Sequence, residues 1–326
     1  MVITKTPYRV SFFGGGTDFP LWFRENGGSV ISTAINQFCY VSVRHKPPFF
    51  PHKHRLVYSE MEDVNEVSEI RHPAIKGVLQ WLQWEEGLEI HHDGDLPARS
   101  GLGSSSAFTV GLLRAMYQLM GRETTLQQLA KDAIHVEQVV IQEVVGCQDQ
   151  IAVACGGFNR INFLPDGNFE VKPIKVTTSR LTTLQNHLLL YFTGFSRFAS
   201  QIEASKLVNF SGRKQELQRM MQMVADAEHL LADETRDLQE FGRMLQEAWE
   251  YKKSLSSGVT TSAIDEIYNR AIVAGATGGK ILGAGGGGFM LFFVVPDNQS
   301  AVRKALNGLI EVPFQFEPEG SRVVLG

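Results

Sequence analysis

DLPARSGLGSSSAFTV, residues 95–110, carries the reading of this chain. Gly101 and Gly103 permit a tight turn, and Ser104, Ser105 and Ser106 follow with three hydroxyls. From Ala107 an apolar rhythm through Phe108, Leu112, Ala115, Met116 and Leu119 marks an amphipathic helix that Gly121 ends. A glycine turn feeding a helix start gathers backbone N–H groups and the positive end of the helix dipole at one point, which makes an anion site. Capping an ordinary helix needs one serine, not three behind a GLG turn. The spacing matches neither common phosphate loop: GxxxxGK[ST] is absent, and Ser106 stands where GxGxxG places its last glycine.

Upstream of this loop the chain mixes strands with short helices. YRVSFF, GGSVISTAINQFCYVSVRH, LVYSE and LEIHHDGDL are rich in strand formers, and HPAIKGVLQWLQW has helical spacing. YRVSFF runs into GGGTD, Gly14 to Asp18. Ordering each glycine costs about 1 kcal/mol or more of conformational entropy, so the triplet belongs where the backbone must turn or approach a ligand closely. His91, His92 and Asp93 alternate across a strand, which rules out a shared metal and makes them structural.

Downstream, Thr125 caps a helix expected from about Leu126 to Val145, carrying Glu137 and Glu143, with Asp149 in the loop that follows. A hairpin with an Asp166-Gly167 turn comes next. HLLLYFTG then opens a mostly helical half, which closes on GKILGAGGGGFMLFFVV. Gly283 to Gly288 match GxGxxG in form, but a buried-strand pattern follows where a dinucleotide site needs a helix. That cluster reads instead as a loop closing tightly over a ligand or over another loop. The change of character sets two domains, 1–183 and 184–326, with no internal repeat.

Composition bounds the partners. A hydrophobic share of 43% allows a full core, and a net charge of -4 gives no broad polycation for nucleic acid or an anionic membrane, so a small-molecule ligand is the default. Cys39, Cys147 and Cys155 are scattered without a CxxC, against a disulfide framework or zinc site. No run of about 18 apolar residues marks a membrane span, so a cytoplasmic protein is expected, of an oligomeric state the sequence does not reveal.

PYRVSFFGGGTDFP, DLPARSGLGSSSAF and KILGAGGGGFM, in this order, resemble the three motifs of the GHMP kinases, and the resemblance spans nearly the whole chain. GGGTD, QDQ and TGFSR look most like the bacterial D-glycero-D-manno-heptose 7-phosphate kinases within that superfamily. The resemblance implies an α+β, two-domain GHMP kinase fold: an N-terminal mixed α/β ATP-binding domain and a C-terminal ferredoxin-like domain with extra helices. It also implies ATP and Mg²⁺, a small-molecule sugar phosphate as acceptor, and a cleft between the halves as the site.

Roles follow from the same likeness. Gly101, Leu102, Gly103, Ser104, Ser105 and Ser106 would hold the triphosphate, with Ser105 near Mg²⁺. Glu137 would be the metal carboxylate and Asp149, twelve residues on, the base or orienting acceptor for the sugar hydroxyl. Arg9 would stand beside Asp149 and offset charge on the transferred group. Gly15 and Gly16 replace the Glu and His of galactokinase-like relatives, leaving room for a larger sugar beside Asp18. Gly285 and Gly286 would close over the substrate. Arg197, and second the run His52-Lys53-His54-Arg55, would meet the phosphate of the acceptor. The rivals are an L-fucose kinase, a silent sugar- and ATP-binding regulator, and, more distantly, an oxidoreductase built on Gly283 to Gly288.

Overall fold

Two long antiparallel strands set the first layer: β1 (Val2–Phe13), buried along nearly its whole length, and β2 (Gly28–His45). The structure, a computed structural model, describes residues 1–98, 100–194, 212–256 and 258–326. β5 (Leu88–Gly94) pairs with one end of β2 and β6 (Phe158–Phe163) with the other. β3 (His54–Val57) runs parallel to β5, β4 (Met61–Val64) hairpins onto β3, and β7 (Phe169–Pro173) hairpins onto β6. The Asp166-Gly167 turn joins that last pair, with Gly167 at φ +90°.

Helix α1 (Pro20–Asn26) follows the GGGTD turn, and α2 (Pro73–Trp81) precedes β5. Helix α3 (Ser104–Leu119) lies across β1 and β2 and comes close because Gly111 has no side chain: a Cβ there would sit 2.9 Å from the Thr6 hydroxyl, while Thr4 Oγ1 donates to the Gly111 carbonyl at 2.9 Å. Helix α4 (Leu126–His135) is capped by Thr125, whose Oγ1 accepts from Gln128 N at 3.1 Å. It does not reach Val145 as the sequence suggests. Its last turn widens to a π turn, Val136–Val140, and Gln142 then adopts φ +60°, which a helix cannot hold. Helices α5 (Gln148–Cys155) and α6 (Thr178–Asn186) complete this part.

The second sheet is antiparallel throughout, in the order β11-β8-β10-β9: β8 (Leu188–Phe192), β9 (Gly278–Ile281), β10 (Phe289–Phe293) and β11 (Ile310–Glu311). Its first strand starts at Leu188, and residues of the second half also serve the first sheet. Helix α7 (Lys214–Ala232) packs on β1 and β2, and β12 (Arg322–Leu325) pairs with the outer edge of β1. Helix α8 (Gln239–Leu255) lies on β9, so close that a Cβ on Gly278 would fall 1.9 Å from the Gly242 carbonyl. α9 (Ser262–Val273) and α10 (Pro296–Ala305) finish the fold.

Phe12 joins the halves. Its ring meets Phe241 of α8 at 5.3 Å, Phe158 of β6 at 5.8 Å and Phe316 at 6.4 Å, edge to face in each case. Phe12→Ala is expected to cost about 3–5 kcal/mol, read as a lowered urea midpoint with the slope retained.

Candidate active site

The end of β1, the α3 loop, the π turn, the start of α5 and residues of α8 and β9 surround one cleft. Arg9 sets its geometry. Its Nε donates to Asp149 Oδ1 at 2.8 Å, Nη2 to Oδ2 at 2.7 Å and Nη1 to the Gly101 carbonyl at 2.6 Å. Its main-chain N–H also bonds the Leu102 carbonyl at 3.0 Å. The guanidinium is 3% exposed and the Asp149 side chain 29%, so the pair is rigid on one side and open to the cleft on the other. Gly103 makes the room: a Cβ there would stand 3.1 Å from Arg9 Cγ and 3.6 Å from Asp149 Oδ2.

Gly103, at φ +74°, is also the N-cap of α3 and brings no side chain of its own to cap it. Ser104, Ser105 and Ser106 therefore present the start of α3 to the cleft, the arrangement expected of an anion site. Ser106 Oγ donates to Glu137 Oε2 at 3.0 Å and the Thr109 hydroxyl also lies beside that carboxyl, whereas Ser105 is exposed at the cleft rim. The third serine thus faces Glu137, while Ser105 lines the cleft beside it.

Glu137 hangs from the π turn, completely buried, and its Oε2 also accepts from Gln150 Nε2. Burial pushes its carboxyl up to about 7 against the opposing pull of these donors. Oε1 is buried without a hydrogen bond. That orphaned oxygen beside a serine hydroxyl fits Mg²⁺, which takes one or two carboxylates from a protein and the rest of its shell from phosphates and water. Among the described residues no three His, Cys, Asp or Glu side chains form a metal cage.

The QDQ segment serves both carboxylates, a function its sequence does not announce. Gln148 Nε2 donates to Asp149 Oδ1 at 3.1 Å while its Oε1 accepts from Ser11 Oγ at 2.6 Å, and Gln150 holds Glu137. Asp18 sits at the start of α5: its Oδ1 accepts from Gly16 N at 3.0 Å and Oδ2 from Gln148 N at 3.4 Å. Only a glycine at 146 tolerates this, since a Cβ there would lie 1.9 Å from Oδ2.

The three glycines of GGGTD have different reasons. Gly14, at φ +84°, touches the Ser29 carbonyl, which a Cβ would meet at 1.9 Å; Gly16, at φ +96°, completes a turn closed by Thr17 N to the Gly14 carbonyl at 3.1 Å. Gly15 meets nothing within 4 Å and lines the cleft, so neither conformation nor packing requires a glycine there.

Other sequence candidates lie elsewhere. Gly285 and Gly286 are turned onto Val259, with Gly286 N bonding its carbonyl at 2.8 Å, and the loop faces the cleft through Gly283 and Ala284 instead. The cluster does close over another loop: a Cβ on Gly283 would stand 2.4 Å from Gly101 Cα, and Phe289 N bonds the Ser100 carbonyl at 3.2 Å. His52 and Arg55 pair with Asp63 on the β3–β4 hairpin, away from the cleft. His91 pairs with Glu89, and His92 packs on Phe108, where burial lowers its pKa. Arg197 lies outside the described residues. Sequence reasoning missed Lys252 and Lys280, both buried in the cleft wall, because a lysine in an amphipathic helix or a strand usually ends in solvent.

Compared with known proteins, residues 70–157 match the GHMP kinases N terminal domain and residues 226–312 the GHMP kinases C terminal domain. The chain belongs to the GHMP kinases. It is 29% identical to the D-glycero-alpha-D-manno-heptose 7-phosphate kinase of Campylobacter jejuni, over 97% of each chain. It is 27% identical to the L-fucokinase/L-fucose-1-P guanylyltransferase of Bacteroides fragilis, over 92% of this chain and 35% of that one. The crystal structure of a D-glycero-D-manno-heptose 1-phosphate kinase from Bacteroides thetaiotaomicron superposes with a TM-score of 0.81 at 26% identity, covering 99% of this chain and 98% of that one. No described helix of this GHMP kinase is long and apolar enough to cross a membrane.

Two outcomes follow from the site. Gly14→Ala is expected to lower stability by at least about 2 kcal/mol in urea unfolding, against about 0.5 kcal/mol or less for Gly15→Ala. Glu137 carries the opposite sign from a paired carboxylate. Its folded pKa of about 7 lies above the unfolded value near 4.5, so its ionisation costs stability progressively between those values and by a constant amount above them. Glu137→Gln should match the native protein near pH 4 and exceed it by about 2–3 kcal/mol at pH 8, measured without nucleotide or Mg²⁺.

Proposed function

We propose that this GHMP kinase transfers the γ-phosphoryl group of ATP to the anomeric hydroxyl of D-glycero-D-manno-heptose 7-phosphate, giving the 1,7-bisphosphate for nucleotide-activated heptose and surface glycan synthesis. The observation that carries the reading is the fixed Arg9–Asp149 pair beside the glycine-led start of α3 in one cleft. The relative named for D-glycero-alpha-D-manno-heptose 7-phosphate supports this acceptor.

In this mechanism the first turn of α3 receives the triphosphate on its amides and dipole. Glu137 with the hydroxyls of Ser105 and Ser106 would hold Mg²⁺, which neutralises charge on the phosphates when bound. Asp18 accepts hydrogen bonds from sugar hydroxyls, and the space at Gly15 admits the longer sugar. Asp149 orients the anomeric hydroxyl and takes its proton late, as suits a loose transition state. Arg9 holds that carboxylate in place and offsets charge developing on the transferred group. The fucokinase relative favours a second reading, a kinase for an unphosphorylated sugar such as L-fucose.

An ADP-release assay with Mg-ATP and D-glycero-D-manno-heptose 7-phosphate, L-fucose, galactose, mannose and mevalonate separates them. Turnover confined to the heptose phosphate is expected, and turnover with a free sugar instead would sink the acceptor. Asp149→Asn should lose about a hundredfold or more of kcat. Arg9→Ala should lower kcat far more than it raises KM for ATP, and an Arg9→Ala enzyme with normal turnover refutes its role.

A further inference from the structure

We propose that Gln148 is a positioning residue for the transfer: held by Ser11, it fills the second hydrogen-bonding direction of Asp149 Oδ1 and leaves Oδ2 as the oxygen that takes the acceptor proton. The inference rests on the role of Asp149 in the reading above and adds which of its oxygens acts and what holds the other. A carboxylate oxygen offers two lone pairs. At Oδ1 both have a donor, Arg9 Nε at 2.8 Å and Gln148 Nε2 at 3.1 Å. Among the described residues Oδ2 accepts one bond, from Arg9 Nη2 at 2.7 Å, which leaves its second direction for a hydroxyl. Oδ2 is also on the phosphate-loop side, 3.6 Å from the place a Cβ on Gly103 would take.

The amide of Gln148 has one useful orientation. The Asp149 carboxylate only accepts, so the amide nitrogen faces it and the amide oxygen faces Ser11, whose Oγ donates to Oε1 at 2.6 Å. Ser11 and Gln148 are each 6% exposed, and a turned amide would set oxygen against carboxylate away from water. Ser11 stands two residues from Arg9 on the same face of β1, and the pairing runs without a bulge from Arg9↔Ala34 to Ser11↔Ser32. One strand face thus holds the carboxylate twice, through Arg9 directly and through Ser11 by way of Gln148. In the transfer the anomeric oxygen bonds the γ-phosphorus as the bond to the bridging oxygen breaks; the hydroxyl proton passes to Oδ2 and ADP leaves with the electron pair. Without Gln148 the open direction of Oδ1 competes for the hydroxyl, and the geometry of attack is reached less often.

Steady-state kinetics with Mg-ATP and D-glycero-D-manno-heptose 7-phosphate, or the free sugar that replaces it in the panel above, test this. Gln148→Met, close in size and without a donor, should lower kcat about tenfold or more while KM for ATP moves less than about twofold. Gln148→Glu, which can still accept from Ser11, should lose at least as much. Ser11→Ala should cost about threefold, because Asp149 still orients the amide, and nothing further in the Gln148→Met background. In an Asp149→Asn background Gln148→Met should add less than about twofold. Normal kcat in Gln148→Met beside a disabled Asp149→Asn enzyme overturns the inference and leaves Asp149 its role; normal turnover in Asp149→Asn removes that role and the inference with it. Losses that multiply in the Gln148→Met, Asp149→Asn double variant, or a rise in KM for ATP in place of a fall in kcat, would show Gln148 acting elsewhere and overturn the inference as well. Urea unfolding reads the contact apart from turnover: the falls in midpoint caused by Gln148→Met and Asp149→Asn should not add, and strict additivity overturns it.

Discussion

A buried guanidinium fixes the relation between the phosphate loop and the carboxylate that faces it. Arg9 bonds both oxygens of Asp149 and the Gly101 carbonyl, and its own N–H is tied to Leu102, so strand, loop and α5 share one reference point. Only arginine offers a planar fork that spans a carboxylate and still reaches a third acceptor; a lysine in its place would bond one oxygen and leave the other loose. Each charge-assisted bond at low exposure is worth about 1.5–3 kcal/mol, enough to order a glycine loop that has little rigidity of its own.

The rest of the cleft depends on backbone meeting backbone. The loop at Ser100 to Gly103 and the loop at Leu282 to Gly288 press together where a Cβ on Gly101 would fall 2.5 Å from the Leu282 carbonyl and one on Gly288 would fall 2.2 Å from that of Ser100. Beneath them, Phe12, Phe241 and Phe158 weld the two sheets into one core. The cleft is therefore a seam between packed elements, and its width is set by main chain as much as by side chains.

What could be read in the sequence follows this division. Arg9, Glu137, Asp149 and the GLGSSS loop are visible because their residue types recur at motif spacing, and the structure draws their side chains into one cleft. The inward serine is not visible, because the turn of α3 depends on the left-handed Gly103, nor is the π turn beneath Glu137, which no local residue pattern announces. Gln148 and Gln150 stand in the motif but disclose their separate partners only when α5 is built. Lys252 and Lys280 look like ordinary surface lysines until tertiary packing buries them, and Gly285 and Gly286 look like ligand contacts until Val259 is found against them.

The return of β12 has a consequence for how the chain is made. β1 carries Arg9, and its outer edge pairs with residues 322–325 at Ile3↔Leu325, Thr4↔Val323 and Lys5↔Arg322. During synthesis that edge stays open until those residues leave the ribosome, although every residue named in the phosphate loop and around Asp149 has already emerged. The strand that organises the site thus waits for a partner made long after it, and an unpaired edge in a growing chain is a template for pairing with another copy.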